Sequence, residues 1–193
     1  MSSAPVRVAV IVGSVREGRF APTVARWFTG EATTHGGFEV DVVDVADLPL
    51  PLVFPAFGTE PGPEVRQLAA RLAAADAFVV ITPEYNHSYP ASLKNAVDWF
   101  RAEWQAKPVA FVAYGGLSGG LRAVEHLRPV FAELHAVTIR DTVSFHGAHG
   151  RFDPSGAPVD PDGTGQAAKK LLDQLEWWAR SLAEARAVRA YPA

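Results

Sequence analysis

Stretches of consecutive apolar residues recur along this chain, and between them the apolar positions open out to three- and four-residue spacing. The first stretch, Val6 to Val12, is nearly continuous, rich in β-branched residues and stops at Gly13. That pattern predicts a strand buried on both faces. Pro22 stands where the first turn of a helix would start, ahead of Val24, Trp27 and Phe28, so a strand, a loop and a helix follow one another. Phe38 to Val45 and Ala77 to Thr82 predict the second and third strands, with an Ala/Leu-rich helix from Glu64 to Ala75 between them. Next comes a helix from 90 to 104 carrying Leu93, Ala96, Val97, Phe100 and Trp104, then a strand from Val109 to Tyr114. A helix from 121 to 135 carries Leu121, Val124, Leu127, Phe131 and Leu134, and a fifth run spans Val137 to Phe145. The last helix carries Leu171, Leu172, Leu175, Trp178 and Leu182. Five buried runs separated by helices imply a parallel sheet with both faces covered, joined by right-handed crossovers.

No internal repeat or linker interrupts this alternation, so a single domain over residues 1–193 is expected. Two stretches rich in Pro and Gly, 48–63 and 147–164, read as surface loops. Net charge is −3, from 18 basic and 21 acidic side chains mixed along the chain. Nothing in that balance writes a nucleic-acid surface or an acidic tail, and a small-molecule partner is expected. The absence of cysteine removes disulfides, thiolate nucleophiles and thiolate metal sites, and fits a cytoplasmic setting. No apolar stretch approaches the ~20 residues of a membrane span, and none is expected to enter a membrane.

In such a sheet, ligands bind beyond the carboxyl ends of the strands, where strand order reverses. The loop after the first strand reads GSVREGRF, Gly13 to Phe20. Its glycines, serine, following helix N-terminus and two arginines, Arg16 and Arg19, suit a phosphate cradle. Gly13 and Gly18 carry the spacing of a Walker loop, but Arg19 and Phe20 stand where that loop needs Lys and Ser/Thr. After the fourth strand, YGGLSGG places Gly116, Ser118 and Gly120 in the G-x-S-x-G pattern of a serine hydrolase. Asp141 with His146 or His149 would then complete a triad, yet only one strand follows and no oxyanion segment is present. A backbone lying flat against a planar ligand accounts for the same glycines.

After the third strand comes PEYNHSYPASLKNAVDW, residues 83 to 99. With the two loops above, it resembles the NAD(P)H-dependent FMN reductase family, which includes flavin, quinone, azo-dye and chromate reductases. The resemblance implies a flavodoxin-like three-layer α/β/α sandwich whose five parallel strands run in the order 2-1-3-4-5. It also implies bound FMN, with NADPH or NADH as reductant. The first loop would hold the FMN phosphate through Ser14, Arg16 and the turn Arg19, Phe20, Ala21 and Pro22. Pro83, Glu84, Tyr85, Asn86 and His87 would line the flavin ring, and Tyr114, Gly115, Gly116, Ser118 and Gly119 its other edge. Where the family commonly has a Ser and an Asn after the arginine, this chain has Phe20, Ala21 and Pro22 in that turn. Its phosphate contacts are accordingly expected from the backbone, with Arg19 as substitute.

The resemblance implies a ping-pong reaction in which hydride passes from NAD(P)H to FMN and electrons go on to a quinone, flavin, azo or metal acceptor. It assigns the chemistry to FMN, with no catalytic side chain, and implies a homodimer or dimer of dimers. The helices at 90–104 and 121–135 are apolar on more than one face, which suits such an interface. The alternative in another class is a flavodoxin-type FMN electron carrier. The sequon at Asn86-His87-Ser88 lacks a secretory context, and no metal site is expected from His146 and His149 despite their spacing. His126 and His135, on opposite faces of one helix, would not share an ion.

Overall fold

The computed structural model describes residues 4–192. Five parallel strands form one sheet in the order β2-β1-β3-β4-β5. They are β1 (Val6–Val12), β2 (Phe38–Asp44), β3 (Ala77–Pro83), β4 (Pro108–Gly115) and β5 (Val137–His146). Interleaved with them are α1 (Ala21–His35), α2 (Pro63–Ala74), α3 (Ala91–Asp98), α4 (Leu121–Glu133) and α5 (Pro161–Val188). The central strands are apolar without alternation because neither face meets water: β3 is buried at all seven positions.

Each face has its own core. Val8, Val10, Val79, Ile81 and Val112 meet α1 and α5 through Trp27, Phe28, Leu171 and Leu175. The alternate residues Ala9, Phe78, Val80 and Phe111 meet α2, α3 and α4 through Leu68, Leu93, Leu127 and Phe131. Burying an aliphatic or aromatic side chain of this size contributes roughly 1.5–3 kcal/mol, so the two layers fix the sheet and hold its carboxyl edge in place.

Two helices stop short of the sequence expectation. α3 ends at Asp98, and Phe100 and Trp104 lie in the turns that follow, both buried. Trp104 is the cause: its indole N–H donates to the carbonyls of Val97 (3.2 Å) and Phe100 (2.9 Å), satisfying the helix end. α4 ends at Glu133, and His135 lies beyond it in a left-handed conformation with φ 61°. His126 and His135 therefore do not share a helix. In the other direction, α5 begins at Pro161, inside the stretch expected to be loop. The Asp160 carboxylate accepts the Gly163 N–H at 3.0 Å as its cap. Among the described residues no helix is long and apolar enough to cross a membrane.

Candidate functional site

Strand order reverses between β1 and β3, and there the loops after β1, β3, β4 and β5 enclose a cleft of about 500 Å³. The loops are laced to one another. The hydroxyls of Ser14 and Tyr85 are 2.9 Å apart, and Ser92 Oγ donates to the Gly13 carbonyl at 3.1 Å. Gly147 N–H donates to the Gly116 carbonyl at 2.8 Å, binding the β5 loop to the β4 loop.

The segment after β3 is a tight hairpin. Tyr85 and Ser88 exchange backbone hydrogen bonds at 2.8 and 3.0 Å, and Asn86 and His87 between them have φ 47° and 76°. Two successive positive φ values make a turn that matches the right-handed twist of its strands, and Asn tolerates that region better than most residues. The turn carries Asn86 and His87 away from the cleft, while Pro83, Glu84 and Tyr85 line it.

At the other end, Ser14, Arg16, Glu17, Gly18, Arg19 and Phe20 line the cleft. Arg19 is fully engaged there. Its guanidinium donates to both Asp44 oxygens, at 2.5 and 2.7 Å, and to the Ser14 carbonyl at 2.6 Å. The hydrogen bonds it donates to Asp44, opposed by burial, hold its pKa above the ordinary arginine value. Arg19 thus braces the loop against the end of β2, and the expected role of substitute phosphate ligand does not suit this geometry. Arg16, in contrast, has no side-chain partner among the described residues. Of the turn that follows, Ala21 lies in the core at 0% exposure. Pro22 is exposed at the first turn of α1, and neither residue lines the cleft.

On the β4 side, Tyr114, Gly115 and Gly116 form one wall. Tyr114 is buried, which pushes its phenol well above the usual range. Ser118 and Gly119 lie outside the lining and support it. The Glu84 carboxylate accepts the Ser118 hydroxyl, the Arg122 N–H (3.2 Å) and the Arg122 guanidinium (3.1 Å). Burial alone would push this carboxyl up. The hydrogen bonds from Ser118 and Arg122 outweigh that and hold it below the ordinary carboxylate range. Glu84 therefore ties the β3 loop to the start of α4 and does not serve as a free acid or base.

The same contact removes the hydrolase alternative, because the partner of Ser118 is a carboxylate and not an imidazole. His146 Nδ1 is 3.0 Å from the Leu117 carbonyl, and Asp141 is paired with Arg140 and Lys170. No cluster of metal-ligating side chains occurs among the described residues. Sequence reading missed Glu17, Gly147, Ala148 and His149 as lining residues. The last three follow β5 at the same carboxyl edge, and that position was the available signal.

Comparison with known proteins fits this geometry. Residues 6–150 match the family model described as NADPH-dependent FMN reductase. An NADPH:quinone oxidoreductase from Arabidopsis thaliana is 33% identical over 183 residues, covering 89% of this chain and 90% of that protein. A 2-hydroxy-1,4-benzoquinone reductase from Burkholderia sp is 32% identical over 183 residues, covering 91% of this chain and 97% of that protein. Among solved structures, the flavoenzyme NAD(P)H:(acceptor) oxidoreductase from Paracoccus denitrificans superposes with a TM-score of 0.75. It is 25% identical, with 91% of this chain and 98% of that chain covered.

Proposed function

The chain belongs to the NADPH-dependent FMN reductase family and is an NAD(P)H-dependent FMN oxidoreductase; we propose that the cleft at the switch point holds its FMN and that quinones are its acceptors. One observation carries the site assignment: the three loops that bear the family's motifs converge on one cleft between β1 and β3, lined from all three sides.

The residues fit FMN in size and chemistry. A volume of about 500 Å³ lies within the range of cofactor sites. Arg16 offers an uncommitted guanidinium at the end where Ser14 and Gly18 also line the cleft. Gly115 and Gly116 give a wall without side chains, and a Cβ on Gly115 would come within 3.1 Å of the Gly120 amide nitrogen. When bound, FMN supplies the chemistry, accepting a hydride from nicotinamide and giving two electrons to a second acceptor.

The protein's own part is to bind and orient. Arg16 and Ser14 set the charged end, and the Arg19–Asp44 brace holds their loop still. Pro83 and Tyr85 wall the ring end opposite Gly115 and Gly116. Glu84, fixed by Ser118 and Arg122, keeps the two ring-side loops in register. No side chain is required to take a proton, and donor and acceptor use the same opening in turn. Two quinone reductases among the relatives, each with 90% or more of its length covered, support an aromatic acceptor.

The one sheet and its helices are read as a single cytoplasmic domain that pairs with a second copy. Exposed Leu52, Val53 and Phe57, on the segment whose Phe54 packs at a tilt on Trp99 (ring centroids 4.7 Å apart), support that homodimer. Light scattering on a sizing column tests the pairing. Initial rates with NADPH and 1,4-benzoquinone varied together test the reaction. Parallel double-reciprocal lines are expected, and intersecting lines or no FMN-dependent turnover would overturn it.

A further inference from the structure

The phosphate end of the cleft is short of positive charge. Arg16, Glu17 and Arg19 line it, Asp44 and Asp47 act on Arg19 from behind, and Glu84 lies toward the ring side. Arg19 is spent on Asp44 with both nitrogens, and Glu84 is spent on Arg122. That leaves Arg16 opposed by Glu17, two residues of opposite charge on one loop. A phosphate monoester carries about −1.5 to −2 charges near pH 7, so one opposed arginine does not match it.

One further nitrogen group lines the same cleft. His149 packs on Phe20 with ring centroids 5.5 Å apart, and Phe20 directly follows Arg19 and caps α1. This places the imidazole at the phosphate end. The turn that carries it is firmly built: Gly147 enters in a left-handed conformation with φ 59°, and its N–H is bonded to Gly116. Arg151 Nε donates to the His146 carbonyl at 3.2 Å, and the Asp153 carboxylate is taken up by the Ser155 and Ala157 N–H groups of its own loop. Tyr85 and Tyr114 also line the cleft. The His149 side chain has no hydrogen-bond or ionic partner among the described residues, whereas His146 is engaged with Leu117.

Resting on the reading of the cleft as the FMN site, we propose that His149 is a phosphate-binding residue of that site, adding a second positive charge when the imidazole is protonated. Cofactor retention then tightens as pH falls through the range in which histidine charges. Neither the motif loops nor the family resemblance assigned this residue.

The test titrates FMN into the flavin-free protein and its His149→Gln and His149→Arg variants, following quenching of flavin fluorescence at pH 6.0 and pH 8.5, with riboflavin as the control lacking phosphate. Wild type is expected to bind FMN about tenfold more tightly than His149→Gln at pH 6.0, the scale of one charge-assisted hydrogen bond. At pH 8.5 the two should agree within about twofold, riboflavin should show no difference at either pH, and His149→Arg should keep tight FMN binding at pH 8.5. Equal ratios at both pH values, or riboflavin weakened as much as FMN, would overturn the phosphate role while leaving the cleft assignment standing. Failure of folded wild type to bind FMN at any pH would overturn the cleft assignment, and this proposal with it.

Discussion

Gly18 and Gly120 both have positive φ, 63° and 89°, in loops that frame the cleft, but only one of them is hemmed in by the sheet. A Cβ on Gly120 would meet Ala113 Cβ at 2.7 Å, Tyr114 N at 2.8 Å and Tyr114 O at 3.1 Å. Carbon contacts are comfortable at about 3.5–4.0 Å, so the helix start would have to move by roughly 0.7 Å or more. Its obstacle is the backbone of buried β4, which has no room to retreat. Gly18 has nothing within 4 Å. Forcing alanine into the left-handed region costs about 1–2 kcal/mol, and overpacking adds about 1–3 kcal/mol. Gly18→Ala should therefore lose about 1–2 kcal/mol and Gly120→Ala about 2–5 kcal/mol, a large share of a typical domain's 5–15 kcal/mol. Urea unfolding followed by circular dichroism, with the slope checked for constancy, measures both. Gly120→Ala should also retain FMN poorly, because Gly115 rests on the Gly120 amide. Equal stability losses in the two variants would refute the steric reasoning.

Three further outcomes follow from individual contacts. Arg16→Ala should weaken FMN binding about tenfold or more in an equilibrium titration, without changing the melting temperature of the flavin-free protein; unchanged binding would move the phosphate elsewhere. Lys107, at 7% exposure, donates to the Leu72 and Ala73 carbonyls (3.0 and 2.9 Å), and burial pushes its pKa down to about 8. The unfolded chain, with an ordinary lysine near 10.4, then holds more protons between about pH 8 and 10.4, so stability should rise across that window by about 3 kcal/mol relative to Lys107→Met. A flat difference would show that the lysine is not held as described. Ser118 should resist labelling by a fluorophosphonate, since its hydroxyl is bonded to Glu84, and labelling there would revive hydrolase chemistry.

The strands were legible because a sheet covered on both faces writes uninterrupted apolar runs, as in Ala77 to Ile81, whereas their order in the sheet came from the family resemblance. The loop after β3 was legible through its resemblance to the family motif, and the structure adds that Asn86 there takes the left-handed conformation its residue type tolerates. What failed did so for identifiable reasons. Phe100 and Trp104 continue a helical spacing after α3 has ended, because buried turns obey the same core and the Trp104 indole takes over the helix's last carbonyls. The start of α5 was hidden in a run of Gly, Pro and Asp that also contains a good helix signal, Asp160 followed by Pro161. Arg19 looked available because its partner, Asp44, lies 25 positions away at the end of another strand. His149 stood out in the sequence only as a triad or metal candidate, and it is the position of its loop at the carboxyl edge of the sheet that brings it into the site.

The most direct test of the central claim is the visible absorption of the FMN-reconstituted protein without oxygen, before and after adding NADPH and, separately, NADH. Flavin bands that bleach on addition of at least one donor and return with a quinone are expected. A bound flavin that neither donor bleaches would contradict direct reduction by NAD(P)H, and a protein that retains no flavin would contradict the site itself.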